Sequence, residues 1–144
     1  MKEHLKILFV DDNKNLVHSM AIGLSKQGIE TQGVSDSVEA LELLTRDEYS
    51  ILISDISMPK MNGALLAQVA KRISPELKII LVTAYDFDDY EKDYPEIKPF
   101  VKLNKPFDVK QLLALINHSP HNIFKSIERS LSWDNSNFYS SFYL

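Results

Sequence analysis

A chain of 144 residues, 44% apolar and 25% charged, has the size and balance of one globular domain with a substantial core. Twenty acidic side chains against 16 basic ones give a net charge of −4, and the lysines and arginines are scattered, so no basic footprint for direct nucleic-acid binding is present. Cysteine is absent, which excludes disulfides and thiolate metal sites. The opening MKEHLKILFV lacks the apolar core and cleavage site of a signal peptide, and no apolar run approaches the ~20 residues of a membrane span. A cytoplasmic protein without membrane contact is therefore expected.

In chain order, Leu5–Val10 reads as a strand that ends on Asp11 and Asp12. Leu16, Val17, Met20, Ala21 and Leu24 then form a helical stripe closed by Gly28 as a C-terminal cap. Ile29–Val34 reads as a second strand, followed by a helix with Val38, Leu41 and Leu44 on one face, opened by Ser35, Asp36 or Ser37. Tyr49–Ser54 is a near-continuous apolar run, as a strand covered on both faces should be, and it runs into Asp55. Leu65, Leu66, Val69 and Ile73 make a third helix, stopped by Ser74–Pro75. Leu77–Thr83 is the fourth strand. The segment DFDDYEKDYPEI carries six carboxylates and is interrupted by Pro95, so only a short or distorted helix is expected there. Phe100–Asn104 is the fifth strand, and Val109, Leu112, Leu113 and Ile116 follow with Asp108 as the expected N-cap.

Strict alternation of strands and helices predicts an α/β, flavodoxin-like three-layer sandwich: a five-stranded parallel sheet with helices on both faces, in order 2-1-3-4-5. In that order the chain reverses direction between strands 1 and 3, and ligands bind beyond the carboxyl ends of strands at such a switch point. Asp11, Asp12 and Asp55 would then converge. Clustered carboxylates either shift their pKa values or recruit a cation, and all-oxygen ligation favours Mg²⁺. Thr83 ends strand 4 and Lys105 follows strand 5, so acid, metal, hydroxyl and ammonium together describe a phosphoryl-binding site. Each residue alone has an ordinary explanation as a turn, strand end or solvated charge. Their joint placement at four strand ends does not.

VDDN, SDISMPKMNG, TA and NKPF, at those four strand ends and in that order, resemble the receiver domain of bacterial two-component response regulators over about residues 4–118. The resemblance implies that Asp55 is the phosphoacceptor, taking a phosphoryl group from a sensor histidine kinase or phosphotransfer protein. It implies Mg²⁺ held by Asp11, Asp12, Asp55 and the backbone carbonyl of Ser57, with Lys105 and Thr83 on the phosphoryl oxygens. The chain would be a switch for protein–protein interaction rather than a turnover enzyme, assisting its own phosphorylation and autodephosphorylation. Lys105–Pro106 is similar to the family's Lys-Pro pair, whose cis peptide aims the lysine inward. Tyr85, second after Thr83, stands where the family tunes phosphoryl lifetime, as does Ser57.

The chain departs from the family at the position three before Lys105, where an aromatic that moves on activation is replaced by Lys102. Phe100, two residues earlier on the same strand face, is the candidate substitute. That departure keeps open a different class of function, a receiver-fold interaction module acting without phosphorylation. A haloacid-dehalogenase-like phosphatase would also use an Asp nucleophile and Mg²⁺, but it places D-x-D after strand 1, where this chain has Asn13. Residues 119–144 lie beyond the resemblance. Ile123, Phe124, Ile127 and Leu131 have helical spacing, and the aromatic-rich WDNSNFYSSFYL then reads either as a surface for a partner or second copy, hence a homodimer, or as a linker to an output domain.

Overall fold

The computed structural model describes residues 4–117; the C-terminal extension and the expectations placed on it lie outside these residues. Five parallel strands form one sheet: β1 (Lys6–Val10), β2 (Glu30–Val34), β3 (Ile51–Asp55), β4 (Lys78–Thr83) and β5 (Val101–Asn104), in order β2-β1-β3-β4-β5. The expected topology is observed, and each strand but β3 starts one residue later than predicted. β3 instead shifts by two at its start and takes in Asp55 at its end.

The helices are α1 (Lys14–Lys26), α2 (Ser37–Arg46), α3 (Gly63–Ile73), α4 (Phe87–Asp93) and α5 (Val109–Asn117). Strand alternation splits the core in two. Ile7, Phe9, Ile51, Ile53, Ile80 and Val82 point to the face carrying α1 and α5, with Val17, Met20, Leu24, Leu112 and Ile116 against them. Leu8, Val10, Leu52, Ile79 and Leu81 point the other way, under α2, α3 and α4. Burying each Leu or Ile side chain contributes roughly 1.5–3 kcal/mol. The three central strands, apolar on both faces, therefore dominate the stability.

Side chains at the helix ends satisfy backbone groups that would otherwise be left over. Asn13, Asp36, Asn62 and Asp86 accept hydrogen bonds from amides in the first turns of α1 to α4. Ahead of α5, Asp108 accepts from the Gln111 amide at 2.8 Å while the Gln111 side chain accepts from the Asp108 amide at 2.9 Å, a reciprocal cap. Gly28 stands at φ 80° just past α1, where its amide donates to the Ser25 carbonyl and that of Ile29 to the Leu24 carbonyl. This left-handed helix stop is the one the sequence predicts.

Two expected helix faces are corrected in part. On α2, Leu44 is buried and Leu41 packs against the core as expected, but Val38 is 44% exposed, and Ser37 and Ala40 complete the buried face. On α3, Leu65 and Ile73 are exposed and the buried face is Gly63, Ala64, Leu66, Ala67 and Ala70. Small residues let this helix lie close to the sheet, so the stripe of bulky side chains is rotated from the true contact face. The acidic segment does form only a short helix, α4, and Pro95 opens a 3₁₀ turn, Pro95–Ile97, before β5. Among the described residues, no helix is long and apolar enough to cross a membrane.

Candidate functional site at the carboxyl end of the sheet

β1 and β3 are hydrogen-bonded neighbours, with Val10 opposite Ser54, so their carboxyl ends open side by side. Asp11 and Asp12 leave the first and Asp55 ends the second. One carboxylate oxygen from each of the three lies within 4.8 Å of the others. Asp11 and Asp55 are buried, at 1% and 5% exposure, and Asp12 is open to solvent. Asp11 is fixed from two sides: the Asn13 amide donates to Oδ1 at 2.9 Å and Lys105 Nζ to Oδ2 at 2.7 Å.

Lys105 reaches this cluster from beyond β5. Its amide donates to the Thr83 carbonyl at 2.9 Å, its peptide bond to Pro106 is cis, and its Nζ stands 3.5 Å from Asp55 Oδ2. Burial disfavours the Lys105 charge, but Asp11 and Asp55 outweigh it and raise the pKa. One ammonium against three carboxylates leaves a local charge of −2, and the ammonium sits closer to Asp11 than to Asp55. Asp55 is accordingly pushed up to about 6, first by burial, then by Asp11, with Lys105 opposing and Asp12 adding to the rise. At neutral pH its ionised form still predominates. A doubly charged, oxygen-seeking cation fits this donor set in charge and chemistry.

Thr83 is fully buried at the end of β4, one step beyond Val82, the register partner of Asp55. Its Oγ1 accepts from the Tyr85 amide at 3.1 Å, which leaves the hydroxyl proton for another acceptor. Ser57 lies exposed on the loop two residues past Asp55, and Tyr85 is 64% exposed on the loop after β4. The β3–α3 loop is anchored by the Ile56 carbonyl, which accepts from the Met58 and Gly63 amides. Lys60 turns it at φ 67° and pairs with Asp36 at 2.7 Å. The structure thus brings Asp11, Asp12, Asp55, Thr83 and Lys105 to one end of the sheet, with Ser57 on the adjoining loop.

Three residues have roles beyond what the sequence displays: Asn104, Gly63, expected there only to permit the tight loop that opens the third helix, and Glu91 on α4. Asn104 donates from Nδ2 to the Thr83 and Tyr85 carbonyls, at 3.4 and 3.3 Å, and so ties β5 to the loop after β4. An amide directly before the site lysine was the available signal. Gly63 matters by contact as well as by loop geometry: a Cβ there would overlap the Asp55 carbonyl oxygen and stand 2.8 Å from Ile56 Cα. Glu91 is the third. It faces Lys102, which is buried at 1% exposure on the α4 side of β5. Phe100, the candidate substitute for the missing aromatic, is half-buried against the same cluster as α4.

A doubly wound parallel sheet with a buried acidic pocket and one inward lysine at its switch point defines a flavodoxin-like domain with a switch-point site. Comparison with known proteins agrees. The response regulator receiver domain model matches residues 7–117, and the chain belongs to that family. It is 30% identical over 108 residues to the response regulator receiver protein CpdR of Brucella abortus (strain 2308), covering 75% of this chain and 90% of that protein. It is also 30% identical over 112 residues to the sensor kinase CckA of the same organism, covering 76% of this chain but only 12% of the kinase's length. Among solved structures, a CheY-like receiver domain protein from Methanospirillum hungatei JF-1 superposes with a TM-score of 0.72 at 23% identity. That match covers 89% of this chain and 99% of the other, and it shows the shared fold.

Proposed function

We propose that Asp55 accepts a phosphoryl group from a phosphohistidine on a sensor kinase or phosphotransfer protein, and that the product switches a protein–protein interaction surface in the cytoplasm. The observation that carries this reading is the buried cluster of Asp11, Asp12 and Asp55 with Lys105 reaching into it. Asp55 supplies the nucleophilic oxygen; its P–O bond forms as the P–N bond to the donor's imidazole breaks and that nitrogen keeps the electron pair. Asp11, Asp12, Asp55 and the Ser57 carbonyl would hold Mg²⁺. Bound there, Mg²⁺ supplies charge neutralisation for the carboxylates and the incoming phosphoryl oxygens. Lys105 exchanges part of its pairing with Asp11 for a phosphoryl oxygen, and Thr83 donates its free hydroxyl proton to another. No turnover of an external substrate is involved, although the same site assists loss of the phosphoryl group to water.

Incubation with Mg²⁺ and acetyl phosphate, followed by intact-mass measurement, tests this. One phosphoryl group should be gained, and none by Asp55→Ala. No gain in the parent, or a gain that survives Asp55→Ala, overturns the reading. The buried Lys102 supports a second reading, an interaction module that works without phosphorylation, which takes over if uptake is absent.

Tyr85, second after Thr83 and tied to it through its own amide, would screen the acyl phosphate from water by folding its ring over the site. Tyr85→Ala should speed dephosphorylation severalfold without altering the phosphorylation site. An unchanged decay rate of labelled protein rejects the screening role.

A further inference from the structure

Lys102 is among the largest fully buried side chains of the protein. A buried ammonium is costly unless its protons are met by acceptors. Nζ donates to the carbonyls of Lys98 and Phe100, both at 2.9 Å, and lies 3.4 Å from Glu91 Oε1. The two carbonyls belong to the turn and strand start just ahead of Lys102 itself. Glu91 comes from α4. The carboxylate oxygen Oε1 is buried and, apart from this ion pair, has no aligned hydrogen bond from any group among the described residues. Burial pulls the Lys102 pKa down and Glu91 offsets part of that. The two charges are therefore mutually dependent, and they join α4 to β5.

Besides this pair, α4 is held by Phe87, Tyr90 and its C-cap residue Tyr94, whose hydroxyl accepts from Asn62 at 3.0 Å. Seven residues are far too few for a helix to persist on its own. Phe87 is its one buried apolar side chain, with Tyr90 half-buried beside it. Its N-cap, Asp86, follows Tyr85, whose carbonyl is held by Asn104. Asn104 and Lys102 share one face of β5 by alternation, so one strand contacts α4 in its middle and the loop that feeds its start.

We propose that the Glu91–Lys102 pair is a charge latch that holds α4 on the sheet, and that Asn104 couples this latch to the site around Asp55. The second half rests on the phosphoacceptor reading; the first does not.

The test is hydrogen–deuterium exchange of the full chain, read over residues 86–97 and over β1 and β3. Glu91→Gln removes the carboxylate that joins Lys102 to α4 and should speed exchange in the α4 segment at least fivefold, with β1 and β3 unchanged. Adding Lys102→Met removes the buried ammonium as well and should bring α4 exchange back to within twofold of the parent. A Glu91→Gln effect below twofold, or one that persists undiminished in the double variant, overturns the latch. For the coupling, the same exchange is measured with Mg²⁺ and beryllofluoride, whose binding is followed independently by fluorine resonance. Binding should change α4 exchange in the parent, and Asn104→Ala should abolish that change while beryllofluoride still binds. Binding with no change in the parent, or a change that survives in Asn104→Ala, overturns the coupling and leaves the phosphoacceptor reading intact. Absence of binding overturns that reading and the coupling with it, and the latch stands or falls on the first arm.

Discussion

Asp55→Asn is expected to stabilise the metal-free protein at neutral pH, by about 2 to 3 kcal/mol if the whole shift is realised. The reason is the direction of the Asp55 shift, from 3.8 to about 6, caused first by burial and then by Asp11. A carboxyl whose folded pKa lies above its unfolded value binds its proton more tightly in the native state. Between those two values the folded protein carries more protons than the unfolded chain, so stability falls as pH rises. The penalty is absent below the unfolded value, grows through the window from 3.8 to about 6, and is complete above it. Asparagine has the same shape without the charge. Urea denaturation should therefore find the variant more stable near pH 7.5, with the gap closing as pH approaches about 4. Saturating Mg²⁺ should narrow the gap at neutral pH, because an ion bound only by the folded parent adds stability there: about 2.7 kcal/mol at one hundred times its dissociation constant. A variant that is less stable than the parent at neutral pH, or a gap that widens on acidification, would show that Asp55 is stabilised by its surroundings, contrary to this account.

The same electrostatics explain why the site was legible in the sequence. A buried parallel strand must be almost wholly apolar, so a carboxylate directly at its end stands out, and the sheet order dictates which ends meet. Asp11, Asp12 and Asp55 follow from that rule, and Thr83 and Lys105 join them as the hydroxyl and ammonium at the ends of strands 4 and 5. Helix faces are less legible. Bulky residues suggest the contact side, but on α3 it is Ala64, Ala67 and Ala70 that allow close approach, while Leu65 and Ile73 face out. Periodicity identifies a helix; it does not say whether contact is made by large side chains or by a small-residue face. Lys102 shows the opposite limit. Its identity was visible as a departure, yet its burial depends on Glu91, one of six carboxylates in a segment that reads as solvated. A long-range charge pair leaves no periodic trace in either partner's neighbourhood. The role of Gly63 was hidden for a similar reason, since the atoms it must admit belong to residues 55 and 56.

Gly63→Ala should be the most damaging single methyl group that can be added near the site. The added carbon would overlap the Asp55 carbonyl oxygen and approach the Asp55 carbonyl carbon and Ile56 Cα, both at 2.8 Å. Every one of these is a backbone atom, so no rotamer change can make room. The neighbourhood is also pinned: the Asp55 carbonyl accepts from Ser54 Oγ at 2.9 Å, and the Ile56 amide donates to the Val82 carbonyl at 2.9 Å. Relief must come from moving α3 off the sheet or displacing the Asp55 peptide, at a cost of about 3 kcal/mol, the upper part of the range for overpacking. Moving that peptide moves the nucleophile, so phosphoryl uptake from acetyl phosphate should fall more than tenfold even where the variant is fully folded. Gly23→Ala is the matched control. There the nearest atom is Val109 Cγ2 at 2.6 Å, the end of a side chain on α5 that can shift, and alanine is the better helix former by up to about 1 kcal/mol. Urea denaturation should place Gly23→Ala within about 1 kcal/mol of the parent, with uptake unaltered. Equal costs at the two positions, or normal uptake in Gly63→Ala, would mean that the β3–α3 loop yields, and that the close approach of α3 to Asp55 does not set the nucleophile's position.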